Sequence, residues 1–320
     1  MESSMKVVPN VTKTDLARQF GIAGFTLIEL SIVLVIIGLI VGGILVGQDL
    51  IRTAGARAQI MQIEKYNQAS NTFRGKYGYL PGDIPNPYAT QFGFAARGSN
   101  PWNGNGDGML NGTDSGWAFG WSGCSEPLMF WVDLSQAKLI DGNFSGLTPT
   151  SWPSSDATGS SIDLYLPKSK MNDALHVYAL NGGLNRAGFY NLNPFFAGNN
   201  FFAISQVTSI AFASDECQYE GNAGIPVGTA YNIDKKIDDG LPISGNVIAA
   251  AHFQGDDNVA WANQDLSIVN SGTTVPGSSA IASSSTTCYD NNNNSANKVN
   301  YSVSQNGGNN PTCALSLKFQ

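Results

Sequence analysis

Residues 25–47 read FTLIELSIVLVIIGLIVGGILVG, an apolar run of 23 residues broken only by Thr26, Glu29 and Ser31. As a helix rising about 1.5 Å per residue, it is long enough to span a bilayer. The 24 residues before it are polar, carry Lys6, Lys13 and Arg18 against Glu2 and Asp15, and end in Gly21-Ile22-Ala23-Gly24. An ordinary secretory signal is cut after its apolar run. Here the small residue comes first, so a cut after Gly24 removes residues 1–24 as a leader and leaves the apolar helix in the mature chain.

The stretch GFTLIEL, Gly24 to Leu30, resembles the type III signal shared by type IV pilins and type II secretion pseudopilins. The resemblance implies that prepilin peptidase cuts between Gly24 and Phe25, that the new amine of Phe25 is methylated, and that Glu29 is the family's assembly glutamate. It implies three further partners: other pilin or pseudopilin subunits, an inner-membrane assembly platform and its ATPase. The precursor is then expected in the inner membrane and the mature chain in a periplasmic or extracellular filament.

Glu29 carries a physical argument of its own, because an acid inside an apolar, bilayer-length helix is costly unless paired. Cleavage creates a partner, the cationic amine of a neighbouring Phe25, and the pair would fix the axial stagger of subunits in a low-dielectric core. The plainer alternative is a signal anchor whose Glu29 rests near the headgroups. Gly38, Gly42, Gly43 and Gly47 lower the helix propensity of this run. They serve either close helix packing or local unwinding when the helix leaves lipid.

Beyond Gly47, DLIRTAGARAQIMQIEKYNQASNTFRGKYG keeps an apolar helical stripe through Ile51, Ala54, Ala58, Met61, Tyr66, Ala69 and Phe73. Residues 25–76 are therefore expected to form one helix, stopped by Gly75, Gly78 and Leu80-Pro81-Gly82-Asp83. YGYLPGD also resembles what many pilin-like proteins carry after this helix. Residues 77–320 are expected to form one extracytoplasmic head. The implied fold is α+β and pilin-like, a long N-terminal helix packed on an antiparallel sheet with elaborated loops.

Within the head, residues 125–140 read as a short buried helix with Ser125 as N-cap, Trp131 and Leu134 in the core and Gly142 past its end. ALHVYAL (174–180) and NVIAAAHF (246–253) read as strands, and Leu315, Leu317 and Phe319 alternate with Ser316 and Lys318. TAYNIDKKIDDG (229–240) places Ala230, Ile233 and Ile237 on one helical face and ends at Gly240. The Ser- and Asn-rich stretch 278–294 is expected to be an exposed loop.

Only 13% of residues are charged, Gly numbers 36, and the net charge is −7. Such a composition suits an exported, loop-rich surface and argues against nucleic acid, whose phosphates need a basic face. Four cysteines without a CxxC pair, beside only two histidines, disfavour zinc and favour two disulfides. Three pairings are open; the preferred one joins Cys288 to Cys313, closing the C-terminal segment locally, and Cys124 to Cys217.

NGNGDGMLNGTD, Asn103 to Asp114, has nearly the spacing of an EF-hand calcium loop. Asn103, Asn105 and Asp107 would give side-chain oxygens, Met109 its carbonyl, and Asn111 and Asp114 the closing ligands. The competing account is a string of Asn-Gly turns. Asp234, Asp238 and Asp239 read as a solvated helix face, and His176 and His252 as satisfied structural histidines. Of the tryptophans at 102, 117, 121, 131, 152 and 261, most read as core anchors. No GxSxG, HExxH, P-loop or dinucleotide fingerprint occurs. The expected function is a non-enzymatic filament subunit, the alternative a minor pilin acting as adhesin or substrate-binding module.

Overall fold

A computed structural model describes residues 25–98, 104–110, 125–146, 153, 155–181, 198–212, 217–252, 259–261, 287–290 and 299–319. The chain divides into two compact units, Met1–Leu50 and Ile51–Gln320. Helix α1, Leu27–Tyr77, contains the division. In the first unit the large apolar side chains from Phe25 to Val46 are all exposed, and the helix runs unbroken through Gly38, Gly42, Gly43 and Gly47. By length and composition α1 qualifies to cross a membrane, a description that a membrane anchor and a signal sequence both meet.

In the second unit the buried face of α1 is Ala56, Gln59, Ile60, Gln62, Ile63, Tyr66, Ala69, Ser70 and Phe73. This corrects the expected stripe, since Ile51 and Met61 are 74% and 62% exposed. The cause is polar: two glutamines occupy the core face because they have partners there. Gln59 Oε1 accepts from Ser169 Oγ (2.6 Å) and Lys170 N (2.8 Å), while Gln62 Nε2 donates to Lys168 O and Tyr66 Oη, both at 2.8 Å. Three of these hydrogen bonds pin the 168–170 segment to α1, and an apolar pattern cannot register them.

The helix stops where Gly78 takes φ +81° and donates its N–H to Arg74 O at 2.8 Å. Leu80 to Asp83 then make a tight turn closed by Asp83 N to Leu80 O at 3.2 Å, with Gly82 at φ +84°. Glycine is required at position 82, because a Cβ there would lie 2.2 Å from Glu126 O. After the short helix α2, Tyr88–Gln91, comes α3, Glu126–Gln136. Trp131 and Leu134 are fully buried in α3 as expected. Ser125 is the N-cap residue as expected, but it sits at φ 74° and makes no side-chain capping bond.

The sheet is antiparallel and built around one long strand. Its members are β1 (Ala157–Thr158), β2 (His176–Asn181), β3 (Asn200–Phe212), β4 (Cys217–Asn222), β5 (Val247–Ile248) and, at the C-terminal end, Leu315–Lys318. The first half of β3 pairs with β2 and with Leu315–Lys318, placing Ile204 opposite both Val177 and Leu315. Its second half pairs with β4 and β1, with a register shift between Val207 and Ser209. The Leu315–Lys318 strand also pairs with β5.

The inner residues of β3 are buried on both faces, Phe202 and Ile204 on one and Phe201 and Ala203 on the other. Phe202 packs against Tyr66, Phe130 and Trp131 at ring-centroid distances of 6.1, 5.7 and 6.2 Å, and stacks on Phe319 at 4.1 Å. Each such burial stabilises the fold by roughly 1.5–3 kcal/mol. The expected outward Ser316 is also buried, donating Oγ to Ala250 O at 2.7 Å, because this part of the sheet is covered on both sides.

Helix α4, Val227–Ile237, buries Ala230 and Ile233, but Ile237 is 40% exposed. The helix ends there, three residues before Gly240 at φ +76°. The second expected strand divides at Ala249 into β5 and β6 (Ala250–His252), the latter paired with β7 (Val259–Trp261). β8 (Tyr289–Asp290) pairs with β9 (Asn300–Tyr301), so the Leu315–Lys318 strand is β10. Thr287, Cys288 and Tyr289 are buried, which corrects the expected loop over its described part. The reason is the Cys288–Cys313 disulfide, with Cα atoms 4.8 Å apart. Cys313 in turn bridges to Ile225 through backbone bonds of 2.9 and 3.0 Å.

Candidate functional site

The first described turn of α1 is organised by Thr26 and Glu29. Thr26 is the N-cap and Glu29 the third helical residue, and the two make a reciprocal box. Glu29 N donates to Thr26 Oγ1 at 3.3 Å, while Glu29 Oε2 accepts from Thr26 N (2.8 Å) and Thr26 Oγ1 (2.7 Å). Phe25, next to this box, is 86% exposed. Gly24, the other member of the expected cleavage junction, lies outside the described residues. Among the described residues, then, the Glu29 carboxylate has local donors and no positive partner. The T-x-x-E spacing that encodes the box is present in the sequence, inside the GFTLIEL stretch.

A second organised region lies on the 104–110 loop. Of the six expected calcium ligands, Asn103, Asn111 and Asp114 lie outside the described residues. The structure brings Asn105 and Asp107 together, with Asn105 Nδ2 donating to Asp107 Oδ2 at 3.0 Å. Asn105 Oδ1 accepts from Asp107 N (2.8 Å) and Asp107 Oδ1 from Met109 N (2.7 Å), two side-chain-closed turns. The loop wraps a carboxylate that sequence reading missed as a partner, Asp83 of the LPGD turn. Its two oxygens accept from Gly106 N at 2.6 Å and Gly108 N at 2.9 Å. Glu126 Oε1 accepts from Asn105 N (3.2 Å) and Asn200 bridges Gly108 O and Leu110 N (2.9 Å each). Burial pushes the Asp83 carboxyl up to about 7 against those glycine donors, with Asp107 adding to the rise.

Beside this region Asp133 is wholly buried, accepting from Gly82 N at 2.7 Å and pairing with the equally buried Arg97 at 2.5 Å. The pair joins α3 to the LPGD turn and to the segment carrying Arg97, three pieces that no local pattern connects.

Asp234, Asp238 and Asp239 do lie together, with one oxygen of each within 4.8 Å of the others. The expected solvated face is wrong for Asp234, which is fully buried and accepts from Tyr301 Oη (2.8 Å) and Gly240 N (2.9 Å). Burial pushes its carboxyl up to about 7, opposed by those two donors and reinforced by Asp239 and Asp238. Asp239 accepts from Leu241 N (2.8 Å) and Ser244 Oγ (2.6 Å), and Asp238 from Val247 N (3.2 Å). All three carboxyl groups accept hydrogen bonds that close the turn after α4, and Asp234 also ties it to Tyr301.

His176 is buried with Nε2 3.2 Å from Asp163 Oδ1, and Asp163 is bridged to Lys168 at 2.9 Å. Its Nδ1 has no hydrogen-bond partner among the described residues, so it is structural but only half satisfied. Burial holds its imidazole below the usual range despite Asp163. The backbone of His252 lies in β6. Of the disulfide candidates, Cys288 and Cys313 are joined, while Cys217 begins β4 and Cys124 lies outside the described residues. So do the tryptophans at 102, 117, 121 and 152.

Comparison with models of known protein families, with curated proteins and with solved structures finds no match to this chain.

Proposed function

We propose that the chain is a structural subunit of a type IV pilus or of a secretion pseudopilus, cut between Gly24 and Phe25 and assembled through its apolar N-terminal helix. The observation that carries this reading is Glu29, the one acid in a 23-residue apolar run, four residues from the Phe25 amine that cleavage would free. The resemblance of GFTLIEL to the type III signal supports it, as does the exposure of every large apolar side chain from Phe25 to Val46 in the isolated chain. Such a surface needs lipid or other copies of the helix to cover it.

In this reading the helix is stored in the inner membrane with Glu29 held by Thr26. On assembly the carboxylate exchanges neutral donors for an ammonium, a charge-assisted contact that is strong only where water is excluded. The gain is registry between subunits rather than bulk adhesion, which the apolar surface supplies. Glu29→Gln keeps the shape and the Thr26 contacts but loses the charge. It should be cleaved at the wild-type rate yet yield sedimentable filament at no more than a tenth of the wild-type amount. Filament yield equal to wild type would remove the central support for the proposal.

A further inference from the structure

Within the head a cavity of about 540 Å3 opens between α1, residues 141–144 after α3, and residues 163–170 leading into β2. Its volume falls in the range of small-molecule sites, about 300–1,000 Å3. Ala58, Met61, Phe144, Leu166 and Pro167 give it largely apolar walls. Met61 belongs to these walls although it is 62% exposed, so the cavity also accounts for an apolar side chain that the core does not use.

The charges in the wall do not cancel. Lys65 pairs with Asp141 at 2.5 Å and Lys168 with Asp163 at 2.9 Å. Lys170 also lines the cavity, and its ammonium makes no ion pair or hydrogen bond among the described residues. One positive charge is therefore left over, in a chain whose net charge is −7. A second unused donor lies in the same wall. Tyr66 is 6% exposed and its Oη accepts from Gln62 Nε2 at 2.8 Å, but its own proton has no acceptor among the described residues. A buried hydroxyl proton without an acceptor is costly, and an incoming acceptor would relieve it.

We propose that this cavity binds a small amphiphilic monocarboxylate, an apolar body bearing one carboxylate that meets the Lys170 ammonium and the Tyr66 hydroxyl. A cation would face the surplus positive charge. A phosphate dianion would place two charges against one beside mostly apolar walls, where the second is the less favoured. A neutral apolar molecule would leave both donors unanswered. The single surplus charge, the unused phenol proton and the apolar walls converge on a monoanion with an apolar body. Such binding is independent of whether the chain is cleaved or assembled.

The test uses the full chain in detergent and two probes of equal shape, 2-naphthoate and the uncharged 2-naphthamide, titrated by calorimetry against a detergent blank. Naphthoate should bind saturably at one site, about tenfold more tightly than naphthamide. Lys170→Met should weaken naphthoate about tenfold and leave naphthamide unchanged, and Tyr66→Phe should weaken naphthoate several-fold. Lys236→Met, an exposed lysine outside the cavity, should bind as wild type. Lys170 is itself exposed, so its substitution leaves folding intact, and the amide serves as an internal check on the Tyr66→Phe variant. Absence of saturable naphthoate binding at millimolar concentration, equal affinity for the two probes, or naphthoate affinity unmoved by Lys170→Met overturns the proposal.

Discussion

Thr26 and Glu29 hold each other at the start of α1: the glutamate carboxylate accepts from both the N–H and the hydroxyl of Thr26, and the Thr26 hydroxyl accepts from Glu29 N. The box satisfies donors that a helix N-terminus otherwise leaves open. Thr26→Ala removes the hydroxyl and should fray the first turn. The measurement is amide hydrogen exchange at Leu27, Ile28 and Glu29 of the chain in nanodiscs, where Thr26→Ala should exchange at least several-fold faster and Thr26→Ser at the wild-type rate.

The Arg97–Asp133 pair is buried at both ends. Removing one partner strands the other charge, which typically costs about 3–5 kcal/mol. Arg97→Met should lower the unfolding free energy by that amount in chemical denaturation. The double variant Arg97→Met, Asp133→Leu should recover more than half of it, because no uncompensated charge is then left inside.

At Gly82 two constraints coincide, a φ of +84° and a Cβ position 2.2 Å from Glu126 O and 2.9 Å from Phe130 N. Gly82→Ala should therefore cost about 3 kcal/mol or more. It should also weaken protection of the Gly82 amide, which bonds Asp133. Gly75, with nothing within 4 Å of its Cβ position and no positive φ, is the control; Gly75→Ala should stabilise slightly.

Asp234 makes stability depend on pH. Its folded-state pKa of about 7 lies above the ordinary carboxylate value of 3.8, so between those values the folded state holds a proton that the unfolded state has released. Stability is then fully present below about pH 4 and falls as pH rises towards 7. Asp83, also near 7, acts in the same direction. Denaturation midpoints measured from pH 4 to 8 should decline over that window, with a shallower decline in Asp234→Asn and a nearly flat profile in Asp83→Asn, Asp234→Asn.

The Cys288–Cys313 disulfide closes a loop of 25 residues, for which chain entropy predicts about 3.5 kcal/mol. Cys288→Ser, Cys313→Ser should lose about that much and expose the β8–β9 pair to proteolysis. Unchanged stability would mean that the backbone bridge between Ile225 and Cys313 alone holds the C-terminal segment.

The long helix and its end were legible because their signals are local: an apolar run, Gly78 and the Pro81-Gly82 turn. Strands β2 and β10 were legible for the same reason. What sequence could not show was which polar residues face inward. Gln59 and Gln62 displaced the expected stripe because their partners lie more than a hundred residues away. Asp234 looked solvated beside two lysines, yet Tyr301, 67 residues on, draws it into the core. Likewise, Asp83 reads in sequence as a turn residue, yet its carboxyl group is the one around which the 104–110 loop folds. The Thr26–Glu29 box is a different kind of miss, since both residues and their spacing lay in plain view.

Filament assembly as proposed rests on Phe25 becoming a free terminus beside a helix already carrying Glu29. It is tested most directly by the mass of the N-terminal peptide from cells with and without prepilin peptidase. With the peptidase, the chain should begin at N-methylated Phe25; without it, all 24 leader residues should remain. A chain that keeps its leader in both strains, or is cut beyond Gly47 instead, is not a subunit matured at Gly24–Phe25.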